Sequence, residues 1–270
     1  MKPSAELPVV HLSGAAASAL LTFPLWRYAT MAQAKYEVAG GGLKASRLGT
    51  MFAVLGPPYR GAIGIVGGMT LARGGIFLCS DLGSRLLAER GVERPLSVVV
   101  PPLAASTVVQ FLKQPIVRGG VMLQDPSAPR KTLVGTLRYL CETRGLRSLW
   151  HGTGAGLLKT APKYCVAIAA KDALEGRLPP ATTHGDALVR DAVKASAAAT
   201  AGALLTNPLD VLRNEMFKTD LPFFRTLAYL NAHHANWAFR GARQNLLAVA
   251  VPVASTIFFT DQLKRHLAER

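Results

Sequence analysis

Cysteine, aromatic side chains and acidic groups are all scarce in this chain. Its three cysteines, Cys79, Cys141 and Cys165, stand alone, with no CxxC and no Cys/His spacing. That excludes a disulfide framework and a zinc site. Aromatic residues make up 7%, and no Lys/Arg run exceeds two residues, although 31 basic side chains against 16 acidic ones give a charge of +15. Nucleic-acid binders concentrate their cations on one face with aromatics between them, so that class is set aside. The excess charge suits an anionic membrane surface or a cavity for anionic solutes. The first residues, MKPSAELPVVHLSG, lack the Arg/Ser-rich amphipathic stretch of a cleaved transit peptide and the pattern of a secretory signal. No Ser/His/Asp or Cys/His grouping stands above composition, so no enzyme and no catalytic residue is expected. Gly152, Gly154 and Gly156 followed by Asp172 imitate a dinucleotide fingerprint, but no buried strand precedes them. His233 and His234 are adjacent rather than at ligand spacing.

What the chain does contain is apolar residues, half of the total, with many small ones among them. Small residues let helices approach closely, as in membrane bundles. An aromatic residue, a basic or His residue and a glycine recur three times: Tyr59-Arg60-Gly61, Trp150-His151-Gly152 and Phe239-Arg240-Gly241. An Asp follows each glycine after 20 residues, at Asp81, Asp172 and Asp261. Pro24, Pro115 and Pro208 precede the glycines by 37, 37 and 33 residues, each closing an apolar segment. The sequence Thr136-Leu137-Arg138-Tyr139-Leu140 matches Thr226-Leu227-Ala228-Tyr229-Leu230. Repeats of about ninety residues follow, over 1–92, 93–181 and 182–270.

Each repeat then holds an apolar segment ending near its proline, a basic connector, and a second segment from glycine to aspartate. The segments at 8–30, 61–87, 98–122, 152–178, 188–214 and 241–267 are each long enough to cross a hydrocarbon core, which takes roughly 20 helical residues. The expected fold is an all-α membrane protein of six transmembrane helices in three pseudo-symmetric repeats, with short helices in the connectors. Arg73, Lys159, Lys163 and Lys194 fall inside these segments and should face a polar interior. The long connectors carry Lys35, Lys44, Arg47, Arg130, Lys131, Arg138, Arg144, Arg147, Lys218 and Arg225, whereas the short ones mix Arg90 and Arg94 with Glu89 and Glu93, which places the long connectors on the matrix side and both termini opposite.

These landmarks resemble the repeats of the mitochondrial carrier family over essentially the whole chain. The resemblance implies an acid two residues after each proline and a base five residues after it, which pair between repeats to close the matrix side. Pro208, Asp210 and Arg213 fit. Trp26 and Ala29 occupy those positions in the first repeat, and Val117 and Gly120 in the second. A bracing glutamine nine residues past the proline is matched by Gln33 and Gln124 but replaced by Phe217. The opposite gate would use Asp81, Asp172 and Asp261 with bases three residues on, where Ser84, Glu175 and Lys264 stand. The resemblance places solute contacts at Gly68 with Met69, Lys159 with Thr160, and Ala248 with Val249, assisted by Arg73 and Lys163. It places cardiolipin at Gly61, Gly152 and Gly241 with Arg60 and Arg240, and requires no other cofactor.

Two functions are compatible with that pattern. The loss of gate charges beside a retained framework implies a structural or accessory subunit of a larger mitochondrial inner-membrane assembly, such as a respiratory one. Lys159 and Thr160 imply instead a transporter of a small anionic metabolite.

Overall fold

The computed structural model describes residues 6–36 and 59–268. Along them run α1 (Glu6–Ala34), α2 (Ala62–Glu89), α3 (Arg94–Leu123), α4 (Leu133–Arg144), α5 (Thr153–Leu158), α6 (Thr160–Glu175), α7 (His184–Thr219), α8 (Phe223–His233) and α9 (Ala242–Ala268). Short 3-10 segments at Leu146–Trp150 and Trp237–Phe239 lead into α5 and α9. The helix starts follow from local chemistry. Thr183 accepts the Asp186 amide at 3.1 Å while the Asp186 carboxylate accepts the Thr183 amide at 3.0 Å, a reciprocal box that opens α7. Thr132 opens α4 in the same manner, accepting from the Gly135 amide at 3.1 Å.

The long helices form a closed ring. α1 packs against α2 and α9, α2 against α3, α3 against α5 and α6, α6 against α7, and α7 against α9. α1 and α3 also both reach α7. The connector helices α4 and α8 are equivalent in detail: Thr136 and Thr226 are buried, as are Leu140 and Leu230. This is the structural content of the matching pentapeptides.

Three expectations are corrected. The six transmembrane helices are not present: among the described residues, no helix is long and apolar enough to cross a membrane. Length without apolarity does not make a span. α7 shows the difference, since its 36 residues reach about 54 Å at 1.5 Å per residue, yet include Asp186, Arg190, Asp191, Lys194, Asp210, Arg213, Glu215 and Lys218. Second, Pro24, Pro115 and Pro208 do not close their segments. Each lies inside a helix that runs on to Ala34, Leu123 or Thr219. A proline removes one backbone hydrogen bond and crowds the preceding turn, and packing against neighbouring helices outweighs that local cost. Third, the segment expected at 152–178 is interrupted at Lys159, between α5 and α6. Pro162 cannot donate to the carbonyl four residues earlier, at Leu158, which breaks the ladder there.

Candidate functional site

The three glycines of the repeat share one conformation and one kind of neighbour. Gly61, Gly152 and Gly241 have φ of 74°, 78° and 68°, the left-handed region. A Cβ on Gly61 would meet Leu123 on α3; one on Gly152 would lie 2.7 Å from the Phe217 ring on α7; one on Gly241 would lie 2.8 Å from the Gln33 backbone nitrogen on α1. Each repeat therefore presses its glycine onto the odd helix of the next, and the third presses onto the first.

The basic residue of each triplet ties the same joints. Arg60 donates to the carbonyls of Asp125 and Arg130 at 3.2 and 3.0 Å. A ring nitrogen of His151 lies 3.1 Å from the Leu221 carbonyl oxygen. Arg240 donates to the Gln33 carbonyl at 2.6 Å and to the buried Glu215 carboxylate at 2.5 Å. Arg60 and Arg240, expected to face lipid headgroups, are thus engaged within the protein. Gln124 donates to the carbonyls of Gly120 at 3.1 Å and Arg60 at 3.4 Å.

At the joint of the first and third repeats Gln33 enters a hydrogen-bond network. Gln33 donates to Asn207 at 3.0 Å and accepts from Asn214 at 3.1 Å, while Asn245 donates to Asn207 at 3.2 Å. Gln33, Asn207 and Asn214 are all buried. Gln33→Leu would leave the Asn214 amide without its acceptor, and an unsatisfied buried donor costs about 1–3 kcal/mol. The expected result is a thermal midpoint lowered by several degrees, measured by circular dichroism.

The positions expected to hold gate ion pairs are filled by complementary apolar shapes. Trp26 stacks obliquely on Phe23, with centroids 5.3 Å apart. It sits beside Gly120, where an added Cβ would come within 3.7 Å of its ring. Where an acid of the first repeat would face a base of the second, an indole faces a glycine. Val117 joins Tyr28, Met31, Ala34, Tyr36, Val121 and Phe217 in one buried cluster drawn from α1 and the residues just after it, α3 and α7. Ala29 is buried as well. Burial of side chains of this size stabilises by about 1.5–3 kcal/mol each, without the desolvation that ion pairs incur.

The one retained acid and base turn elsewhere. Asp210 Oδ1 accepts from Lys159 Nζ at 2.5 Å and from Arg213 at 2.9 Å. Burial, followed by repulsion from Arg213, pushes the Lys159 ammonium down to about 7. Burial opposes ionisation of Asp210, yet Lys159 and Arg213 together hold its carboxyl below the usual range. With Lys163 also close enough to act on both groups, three basic groups surround one carboxylate, and their excess of positive charge attracts anions, most strongly where Lys159 is protonated.

The remaining expected positions do not converge on it. Gly68 lies against Ile116 on α3. Ala248 and Val249 are half-buried on α9. In the opposite gate, Glu175 is exposed and pairs with Arg190 at 2.6 Å and Lys194 at 2.8 Å, and Ser84 is half-buried on α2. The side chains of Arg73, Asp81, Thr160, Asp172, Asp261 and Lys264 lie outside those described. Trp150 and His151 close a 3-10 segment, not a strand, ahead of the glycine-rich stretch.

Other ties between the helices appear only in space. Arg118 is fully buried, donates to the Ser148 carbonyl and pairs with Asp220, which Arg144 also engages. Burial is the chief influence on the Arg118 guanidinium and pushes it down, while Asp220 opposes the shift. The Arg240–Glu215 pair and the asparagines around Gln33 were likewise unseen. Only Arg118 carried a signal, through its place one turn after Pro115. No family model matches the chain.

Proposed function

We propose that the chain is a structural or accessory subunit, built from three carrier-like repeats, of a larger assembly of the mitochondrial inner membrane. The observation that carries this reading is the closed connector end. Trp26 against Gly120 and the cluster around Phe217 hold it by apolar packing, and the ties of Arg60, His151 and Arg240 join every pair of repeats. A transporter needs two states of similar free energy, each with contacts the other lacks. Contacts of this kind favour a single state. A membrane-assembly subunit gains from that rigidity, because it presents fixed surfaces to its neighbours.

Cardiolipin remains part of the proposal as a companion of the assembly. With Arg60 and Arg240 engaged, the backbone amides at the helix starts are the groups left to receive it.

A second reading, transport of a small anionic metabolite, draws on the three basic groups around Asp210. Extraction of the native protein in mild detergent, followed by sizing and partner identification, separates the two. The structural reading expects a large particle with other subunits in fixed ratio. A lone chain near its 28.7 kDa mass, stabilised by a specific anion and losing that response in Lys159→Ala, would replace it with the second.

A further inference from the structure

The connector end also holds a cavity of about 180 Å³ that shares no lining residue with the Lys159 cluster. Three repeats contribute to it. Tyr36 follows α1 by two residues, Asp125 and Arg130 come from the turn after α3, Tyr139 and Arg144 from α4, and Lys218 from α7.

Its walls are fixed. Arg60 holds both ends of the 125–130 turn through the Asp125 and Arg130 carbonyls. The Asp125 carboxylate accepts from the Ser127 amide at 2.8 Å and the Ser127 hydroxyl at 2.6 Å, which occupies one of its oxygens. Arg144 is anchored by Asp220, whose other oxygen meets the buried Arg118. Lys218 stands 6.0 Å from the centre of the Tyr36 ring, which faces its ammonium. Tyr36 is buried, and that burial, with Asp125 and Glu215 nearby, raises its phenol so that it stays protonated and able to donate.

The charges around the cavity do not balance. Arg130, Arg144 and Lys218 face it with Asp125 as the lining acid. Among the described residues, Arg130 and Lys218 form no ion pair, whereas Arg144 does. Two cations from different repeats that form no ion pair, lining a small pocket with phenols beside them, match a compact dianion. A phosphate monoester carries a charge of about −1.5 to −2 near neutral pH and three acceptor oxygens, and both a guanidinium and an ammonium recognise it well. A pocket of this volume takes a phosphate on a chain of a few carbons.

We propose that this cavity binds a small phosphate monoester through Arg130 and Lys218, with Tyr36 and Tyr139 flanking it. Its occupant bridges α3 and α4 to α7, so binding reinforces the closed end. The site stands whether the chain is an assembly subunit or a transporter. The phosphate could come from a soluble metabolite or from the headgroup of a phosphatidic-acid-like lipid.

Thermal-shift titration of the full-length protein in detergent tests this, with glycerol 3-phosphate and dihexanoyl phosphatidic acid as the two probes. Saturable stabilisation by a probe is expected, with at least tenfold weaker apparent affinity in Arg130→Ala/Lys218→Ala. The charge-matched control Lys131→Ala/Arg225→Ala, at exposed positions outside the pocket, should keep the wild-type response. Stabilisation by glycerol 3-phosphate identifies a soluble ligand, and stabilisation by the phosphatidic acid alone identifies a headgroup; either supports the site. Stabilisation by neither probe, or equal loss in both double variants, overturns it.

Discussion

Gly241→Ala is expected to lose about 2–5 kcal/mol of stability, from a left-handed backbone that costs about 1–2 kcal/mol and an overpacking clash of about 1–3 kcal/mol. The methyl would arrive 2.8 Å from the Gln33 nitrogen and 3.1 Å from the Ala32 carbonyl carbon, and neither backbone atom can rotate away. Because this contact joins the third repeat to the first, the ring itself would open. Gly154→Ala provides the contrast. Gly154 lies in α5 with nothing within 4 Å of where a methyl would sit, so the change should be neutral or stabilise by up to about 1 kcal/mol. Thermal melts of the two variants decide the matter. A Gly241→Ala midpoint equal to the wild type would show that the joint is not closed as described.

The second large effect is expected at Asp210. In Asp210→Asn the half-buried Lys159 and Arg213 both lose their counter-charge, a loss that approaches the roughly 3–5 kcal/mol of a fully buried broken pair without reaching it. Lys159→Met should behave differently. Arg213 still pairs with Asp210 at 2.9 Å, and a repulsion that burial makes costly is removed. The expected change is within about 1 kcal/mol of zero, or stabilising.

The pH dependence carries the same information. Lys159 is held near 7 in the folded protein against 10.5 for an ordinary lysine. Between those values the unfolded chain binds the proton that the folded one has released, so wild-type stability rises with pH across this window and is flat above it. Lys159→Met should lack that rise. Denaturation at pH 7 and pH 10 measures it, and parallel pH curves for the two proteins would contradict the assignment.

How much of this was legible in the sequence depends on the kind of position. Gly61, Gly152 and Gly241 could be read because a left-handed helix start against a neighbouring backbone demands glycine itself, and the demand recurs at fixed spacing. The order of the long segments followed from those marks, although the one expected at 152–178 divides at Lys159. The prolines misled as stop signals, since the rule is local and the packing that carries α1, α3 and α7 past them is not. Transmembrane spans were inferred from length, while the charges along α7 and the small residues throughout dilute apolarity. Trp26 and Gly120 were named as lost charges, but their fit to each other is a relation in space that neither position shows alone. The same is true of Lys159 and Asp210, 51 residues apart, and of Gln33 with its asparagine partners. Pair identity depends on the ring, and the ring closes only through contacts between repeats.

A connector end that stays shut is what separates a fixed subunit from a transporter. Val134 on α4 and Phe224 on α8 are 76% and 80% exposed, and they report on the second and third repeats there. With Cys79, Cys141 and Cys165 replaced, spin labels at these two positions give their separation by pulsed electron paramagnetic resonance. One narrow distance, unchanged by added anionic metabolites, is the predicted result. A second, longer distance, or one that appears when an anion is added, would contradict it.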